Sequence, residues 1–118
     1  VLFVCPHGAG KSRIAAAWFA GAAPAGWGAS TAGLDPQDRV SVHAPRLLAG
    51  SPVERLLDHE LPRPLSAAPE PSMVVTIDCP SGVIPGAVEW RLEHGDFDQA
   101  MADELRVRVL RLTKELAL

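Results

Sequence analysis

The chain opens on VLFVCPHGAGKSRIAAAWFA, and this stretch limits what can follow more than any other. An apolar run meets a cysteine. A short loop with two glycines follows, then Lys11-Ser12, then a segment rich in helix formers. Val1 to Val4 reads as a buried central strand of a parallel sheet. Pro6 to Lys11 reads as a tight loop, and Ser12 as an N-cap or first-turn residue of a helix that Pro24 and Gly26 bring to an end. Ile14, Trp18 and Ala22 mark its expected inner face, and Arg13 is expected at the surface. A strand-loop-helix unit of this kind binds anions, because the loop and the first helical turn present backbone N–H groups with no intrahelical acceptor.

Two chemistries compete for that loop. A nucleotide-binding P-loop requires Gly-x4-Gly-Lys-Ser. Gly10, Lys11 and Ser12 close such a pattern, and VVTID resembles a strand ending in a magnesium-binding Asp, but Cys5 stands where the first glycine belongs. The other reading starts from Cys5. A thiol at a strand end, facing a helix N-terminus, sits in a field that favours the nucleophilic thiolate. The amides of His7, Gly8, Ala9, Gly10, Lys11 and Ser12 would form a nest for a tetrahedral oxyanion. Gly8 and Gly10 permit the left-handed angles a nest demands. Lys11 adds charge, and Ser12 is placed to hydrogen-bond the sulfur. This reading uses more of the residues.

Farther along, WGASTAG, SMVVTID and GAVEWRL read as strands, and VHAPRLLAG and PVERLLDHE as short helical pieces. From about Phe97 the pattern is helical, with Phe97, Met101, Leu105, Val109, Leu112 and Leu116 on one stripe. Alternation of strand and helix over 118 residues predicts one domain, residues 1–118, of α/β class with a parallel sheet. Ligands of such sheets lie beyond the carboxyl ends of the strands, so Cys5 and Asp78 are expected to meet at one site. The acidic pair Asp103-Glu104 reads as a solvated helix face.

Composition excludes several classes. Charged residues make up 21% and net charge is −3, which gives no basic surface for nucleic acid. No apolar run is long enough for a membrane span. Two cysteines, Cys5 and Cys79, are too few for a secreted disulfide framework, so the expected setting is cytoplasmic. The four histidines, His7, His43, His59 and His94, show no ligand spacing, so no metal is expected.

VLFVCPHGAGKSRIAAAWF resembles the start of the low-molecular-weight protein tyrosine phosphatases and of the thioredoxin-coupled arsenate reductases that share their fold. Their loop reads Cys-x-x-Asn-x-x-Arg-Ser. STAG, VHAPRLLA, VVTID and EWRLEHGDFDQA resemble later segments of the family in the same order. The resemblance implies a three-layer α/β/α domain with a four-stranded parallel sheet. It implies Cys5 as nucleophile, forming a phosphocysteine or an arsenate adduct, loop amides as the oxyanion cradle and Ser12 as the group that eases departure of the thiolate. The partner would be phosphate or an arsenate-like oxyanion, carried by a phosphorylated substrate the residues do not name, and no organic cofactor is needed. A catalytically weak anion-binding or interaction domain with the same fold is the alternative to an enzyme. The chain departs from the pattern at three places. Lys11 stands for the loop arginine. Gly8 stands for the loop asparagine and drops its side-chain network. The general acid of the family's Asp-Pro falls at His94, with Glu93 and Asp96 as neighbouring substitutes. His43 is placed to support the loop. Cys79 is the only internal candidate for the resolving thiol an arsenate reductase needs, one position beyond the place that pattern implies.

Overall fold

The computed structural model describes residues 1–118 and has the order β1 (Leu2–Cys5), α1 (Lys11–Ala22), β2 (Ser30–Gly33), α2 (Ala44–Leu48), β3 (Val74–Ile77), β4 (Val88–Trp90) and α3 (Gln99–Leu116). Short 3-10 turns lie at Glu54–Leu56 and Leu65–Ala67. All strands are parallel, in the order β2-β1-β3-β4. This is the expected three-layer α/β/α architecture around a four-stranded parallel sheet. No helix is long and apolar enough to cross a membrane.

The central strand is apolar on both faces because both are covered. Val1, Phe3 and Cys5 point into the larger core cluster, under α1 and α3, with Ile14, Phe19, Met101, Leu105 and Val109. Leu2 and Val4 point the other way, into a small cluster with Ala32 and Cys79. That second layer is thin. It consists of the 3-10 turn at Leu65–Ala67 and of loops that bring Leu34, Ala68 and Ile84 against the sheet. The crossover from β3 to β4, residues 78–87, contains no helix.

Local rules account for most boundaries. α1 ends at Ala22 because Ala23 precedes Pro24 and is pushed into an extended conformation. α3 starts at Gln99, slightly after the expected Phe97, because the Asp98 carboxylate accepts the Met101 amide at 3.0 Å and caps the helix. Its inward stripe is as read: Met101, Leu105, Val109 and Leu112 are buried, with Phe97 and Leu116 packed at the ends. Two expectations need correction. PVERLLDHE makes only a single 3-10 turn, since Val53 and Leu57 are its only buried residues and give a longer helix no face to bury. The buried face of α1 carries Arg13, Ile14, Ala15, Ala17 and Phe19, while Trp18 is half-buried and Ala22 exposed.

The loop after β1 is pressed against the end of β2. Gly8 has φ +63°, and a Cβ there would meet the Gly33 amide nitrogen at 2.7 Å. A Cβ on Gly33 would meet the His7 carbonyl carbon at 2.6 Å. Neither glycine has room for a side chain, because each faces the backbone of the other. Replacing Gly33 by alanine forces that contact apart. We expect Gly33→Ala to lower the unfolding free energy by about 1–3 kcal/mol, read as a lower urea midpoint at unchanged slope.

Candidate functional site

Cys5 ends β1 and is 3% exposed, within hydrogen-bond distance of Ser12 in the first turn of α1 (Sγ to Oγ, 3.2 Å). Gly10 caps α1 at φ −135°, outside the left-handed region expected of it, and no side chain hydrogen-bonds the first turn of the helix as a cap. A cavity of about 240 Å³ opens above the cysteine, lined by Cys5, His7, Ala9, Gly10 and Lys11 of the loop and by Gln37, Ser41 and Phe97 from outside it.

The polarity of the loop backbone is one-sided. The carbonyl of Cys5 accepts from the Leu34 amide, Pro6 from Asp35, His7 from Gln37 and Ala9 from Ser41. The Gly10 carbonyl accepts from the Arg13 and Ile14 amides, and that of Gly8 from Arg13 Nε at 2.9 Å. Every carbonyl from Cys5 to Gly10 is thus engaged away from the cavity. In contrast, none of the amides from His7 to Ser12 donates to a protein acceptor. A run of free donors around a thiol, at an uncapped helix N-terminus, is a cradle for an anion.

Lys11 lines this cavity, but its ammonium is already engaged. Nζ donates to Asp78 Oδ2 at 2.7 Å and to the Gly95 carbonyl at 3.2 Å. Asp78, at φ +53° just past β3, also accepts the Leu92 amide through Oδ1 at 2.9 Å. Cys5 and Asp78 therefore do meet at one edge of the sheet, through Lys11, which ties the loop to the segment after β4.

That segment, Arg91 to Asp98, carries the expected acid candidates. It crosses the site with Gly95 on Lys11 and with the Phe97 ring over Gly10, where a Cβ would meet Phe97 Cε2 at 2.5 Å. Asp96 lies between these two contacts and is exposed. His94 is also exposed but lines a different depression, beside α3, with Glu93, Asp103 and Arg108. The structure does not bring His94 to Cys5. His43 packs toward the Phe97 ring, centroids 6.4 Å apart, and His7 Nδ1 lies 3.2 Å from the Asp35 carbonyl oxygen. His59 is exposed on the segment after α2.

Glu104 is not the solvated residue its neighbour Asp103 is. Its side chain is 14% exposed, and its two oxygens accept the His94 amide at 2.9 Å and the Glu93 amide at 3.0 Å. Arg108 Nε donates to it at 3.0 Å. Burial pushes the Glu104 carboxyl up, but the two amides and Arg108 outweigh it and hold the group below the ordinary glutamate range.

Arg13 is the largest surprise. Expected at the surface, it is 1% exposed and among the largest fully buried side chains. It lies beneath the loop, with Nη1 donating to the Asp58 carbonyl at 2.7 Å. Desolvation lowers its pKa, with the Asp58 carboxylate acting in the opposite direction. The residue carried one signal in the sequence: it is the only long polar side chain between Ser12 and Ala22, one helical turn from buried Ala17.

Cys79 is buried on the opposite sheet face from Cys5 and within 3.6 Å of the carbonyl oxygens of Val4 and Ile77. Both cysteines are free thiols. Burial pushes the Cys79 thiol up. It does not line the Cys5 cavity.

Two measurements test this arrangement. Because the folded-state pKa of Glu104 is depressed, its tether is complete above the unfolded value of about 4.3 and is lost as pH falls through the folded value. The Glu93 and His94 amide resonances should therefore titrate together, with a midpoint below about 4.3, and that titration should vanish in Glu104→Gln. Iodoacetamide at neutral pH should label Cys5 first in the native protein, with Cys79 labelled more slowly, through opening of its sheet face, as peptide mapping would show.

No family model and no curated protein sequence matches the chain. Solved structures do. An arsenate reductase from Archaeoglobus fulgidus superposes with a TM-score of 0.75 at 28% identity, over 96% of this chain and 98% of that one. A thioredoxin-dependent arsenate reductase from Corynebacterium glutamicum gives 0.73 at 28% identity over 98% of this chain, which spans 60% of that protein. YwlE, an arginine phosphatase known from Bacillus subtilis, gives 0.64 at 17% identity over 98% and 93%, a likeness of fold.

Proposed function

We propose that this chain, which has the fold of the low-molecular-weight phosphatases and arsenate reductases, is a thiol-dependent enzyme in which Cys5 attacks the central atom of a tetrahedral oxyanion. The observation that carries this reading is the division of the loop backbone, with its carbonyls engaged outward and the amides from His7 to Ser12 free around Cys5.

The primary substrate class is a phosphomonoester, whose aryl or alkyl portion would lie against Phe97, the one phenyl ring lining the cavity. The Cys5 sulfur forms a bond to phosphorus while the bond from phosphorus to the leaving oxygen breaks. The amides from His7 to Ser12 hold the equatorial oxygens, where charge concentrates in the transition state. Asp96 protonates the leaving oxygen: it lies between Gly95 and Phe97, which both touch the loop, whereas the His94 amide is bound to Glu104 on the far side. Water then attacks the phosphocysteine, phosphate leaves, and Ser12 stabilises the departing thiolate. Lys11 contributes by holding the acid segment, through Gly95, over the cavity. No side chain here requires a metal or an organic cofactor for these steps.

A second reading is favoured by the likeness to two arsenate reductases at 28% identity. The Cys5 sulfur would displace hydroxide from arsenate to give an S–As(V) adduct. A second thiolate would then attack the Cys5 sulfur, forming a disulfide and releasing arsenite, with the two electrons supplied by the two thiols. Cys79 reaches Cys5 only after leaving its bed on the other sheet face, so an external thiol serves equally.

One set of assays tests both. Aryl phosphate turnover should be lost by at least about a thousandfold in Cys5→Ser, and a phosphorylated Cys5 peptide should be trapped at acid pH in the wild type. Asp96→Asn should depress alkyl phosphate turnover more than that of a good aryl leaving group, with His94→Gln near wild type. Arsenite formed from arsenate with a dithiol reductant, in place of phosphatase turnover, would assign the second reading. Loss of that product in Cys79→Ser would make Cys79 the resolving thiol. Neither activity in a folded wild type would remove the enzymatic reading.

A further inference from the structure

The loop carbonyls are not all held in the same way. Those of Cys5, Pro6, His7 and Ala9 accept from backbone amides of residues 34–41, and that of Gly10 from the first turn of α1. Only the Gly8 carbonyl is held by a side chain, through Arg13 Nε at 2.9 Å. Gly8 is also the residue with the least steric restraint on its own torsions, at φ +63°. The peptide unit that follows it is the one in the loop whose orientation the surrounding backbone does not settle.

A trans peptide is planar, with its C=O and N–H directed to opposite sides. Holding the Gly8 carbonyl toward Arg13, away from the cavity, therefore points the Ala9 N–H toward it. Released, the Gly8–Ala9 peptide can turn over and put an oxygen where the cradle needs a donor. One reversed peptide would replace an attraction to an anion with a repulsion.

The contacts of Arg13 fit this task better than that of neutralising Asp58. A guanidinium serving as counter-ion turns two nitrogens to the carboxylate as a fork. Here Nε goes to Gly8, Nη1 goes to the Asp58 backbone carbonyl at 2.7 Å, the Asp58 carboxylate oxygen is 3.7 Å away, and Nη2 has no protein partner. The Asp58 carboxylate is instead engaged by Arg63 at 3.0 Å. Arg63 also donates to the Thr31 carbonyl, and its own carbonyl accepts the Gly33 amide, so the segment holding Arg13 is itself pinned to β2.

We propose that Arg13 is a positioning residue: by holding the Gly8 carbonyl from beneath, it fixes the Gly8–Ala9 peptide so that the Ala9 amide faces the Cys5 cavity. Where the asparagine side chain of the resembling loops is missing at Gly8, a buried guanidinium from the next helix does the orienting. The claim about anion affinity rests on the proposed oxyanion site; the claim about the peptide does not.

The test uses 15N-labelled wild type, Arg13→Met and Arg13→Lys, with inorganic phosphate as the probe. Thermal unfolding and circular dichroism establish folding. The three-bond H–N/Hα coupling of Ala9 reports its φ and therefore the peptide's orientation. Calorimetric titration reports phosphate affinity. In a folded Arg13→Met we expect the Ala9 coupling to move from its wild-type value and phosphate affinity to fall about tenfold or more, with Arg13→Lys restoring part of both. An unchanged coupling in a folded Arg13→Met overturns the proposal, and so does a changed coupling with affinity unaltered. Failure of both variants to fold overturns it too, since Arg13 would then be a strut of the core. If the wild type binds no phosphate, the proposed function fails, and the Ala9 coupling still decides the role of Arg13.

Discussion

Everything at the candidate site depends on one electrostatic constraint, the sidedness of the backbone between Cys5 and Ser12. A peptide group has two polar ends, and a buried turn must satisfy both. In this loop the acceptors are satisfied by the protein and the donors are not. The cost of those donors is lowered by their place at a cavity wall and at a helix N-terminus, where a negative ligand is favoured. The rest of the fold serves to keep the acceptors occupied. Residues 34–41 run alongside and supply amides, Gly33 lets β2 approach closely enough for them to reach, the first turn of α1 takes the Gly10 carbonyl, and the Arg13 side chain covers that of Gly8.

The second wall of the site is the segment that leads into α3, and it is fixed by carboxylates. Asp98 starts the helix, which sets Phe97 just outside its first turn and against Gly10. Glu104, nearly two turns on, reaches back to the amides of Glu93 and His94. Asp78 holds Leu92 and, through Lys11, Gly95. The acid segment is thus fastened on both flanks, while the Asp96 carboxylate makes no bond between them. Lys11, a charged side chain of the loop, is the bolt between the two walls.

What could be read from the residues alone was whatever depended on neighbours in sequence. The strand, the Gly8 turn, the helix start and the closeness of Cys5 to Ser12 follow from local periodicity and loop chemistry, and all are found. The stripe from Met101 to Leu112 was equally legible because helical burial repeats along one segment. Arg13 stood out only as the lone long polar side chain of its helix; its burial was not legible, because the Asp58 and Arg63 that cover it come from a stretch with little regular structure of its own. Glu104 looked like any acid on a solvated helix until the His94 segment was laid across it. The ion pair of Lys11 was not legible, because its partner Asp78 is distant along the chain. His94 fell in the family's acid position by counting, but it lines the depression beside α3 and not the Cys5 cavity.

The uneven covering of the sheet has a mechanical meaning. The face carrying Cys5 is backed by a cluster of 17 buried residues, while the other face has a cluster of 4, capped by loops. Opening free energies follow the apolar contacts that must be given up, so the two faces belong to different tiers of local stability. Cys79 lies on the lower tier, next to a crossover with no helix to unwind. Excursions that uncover this thiol can therefore occur while the Cys5 loop, rooted in the stiffer layer, keeps its shape. The molecule can loosen one thiol without disturbing the other.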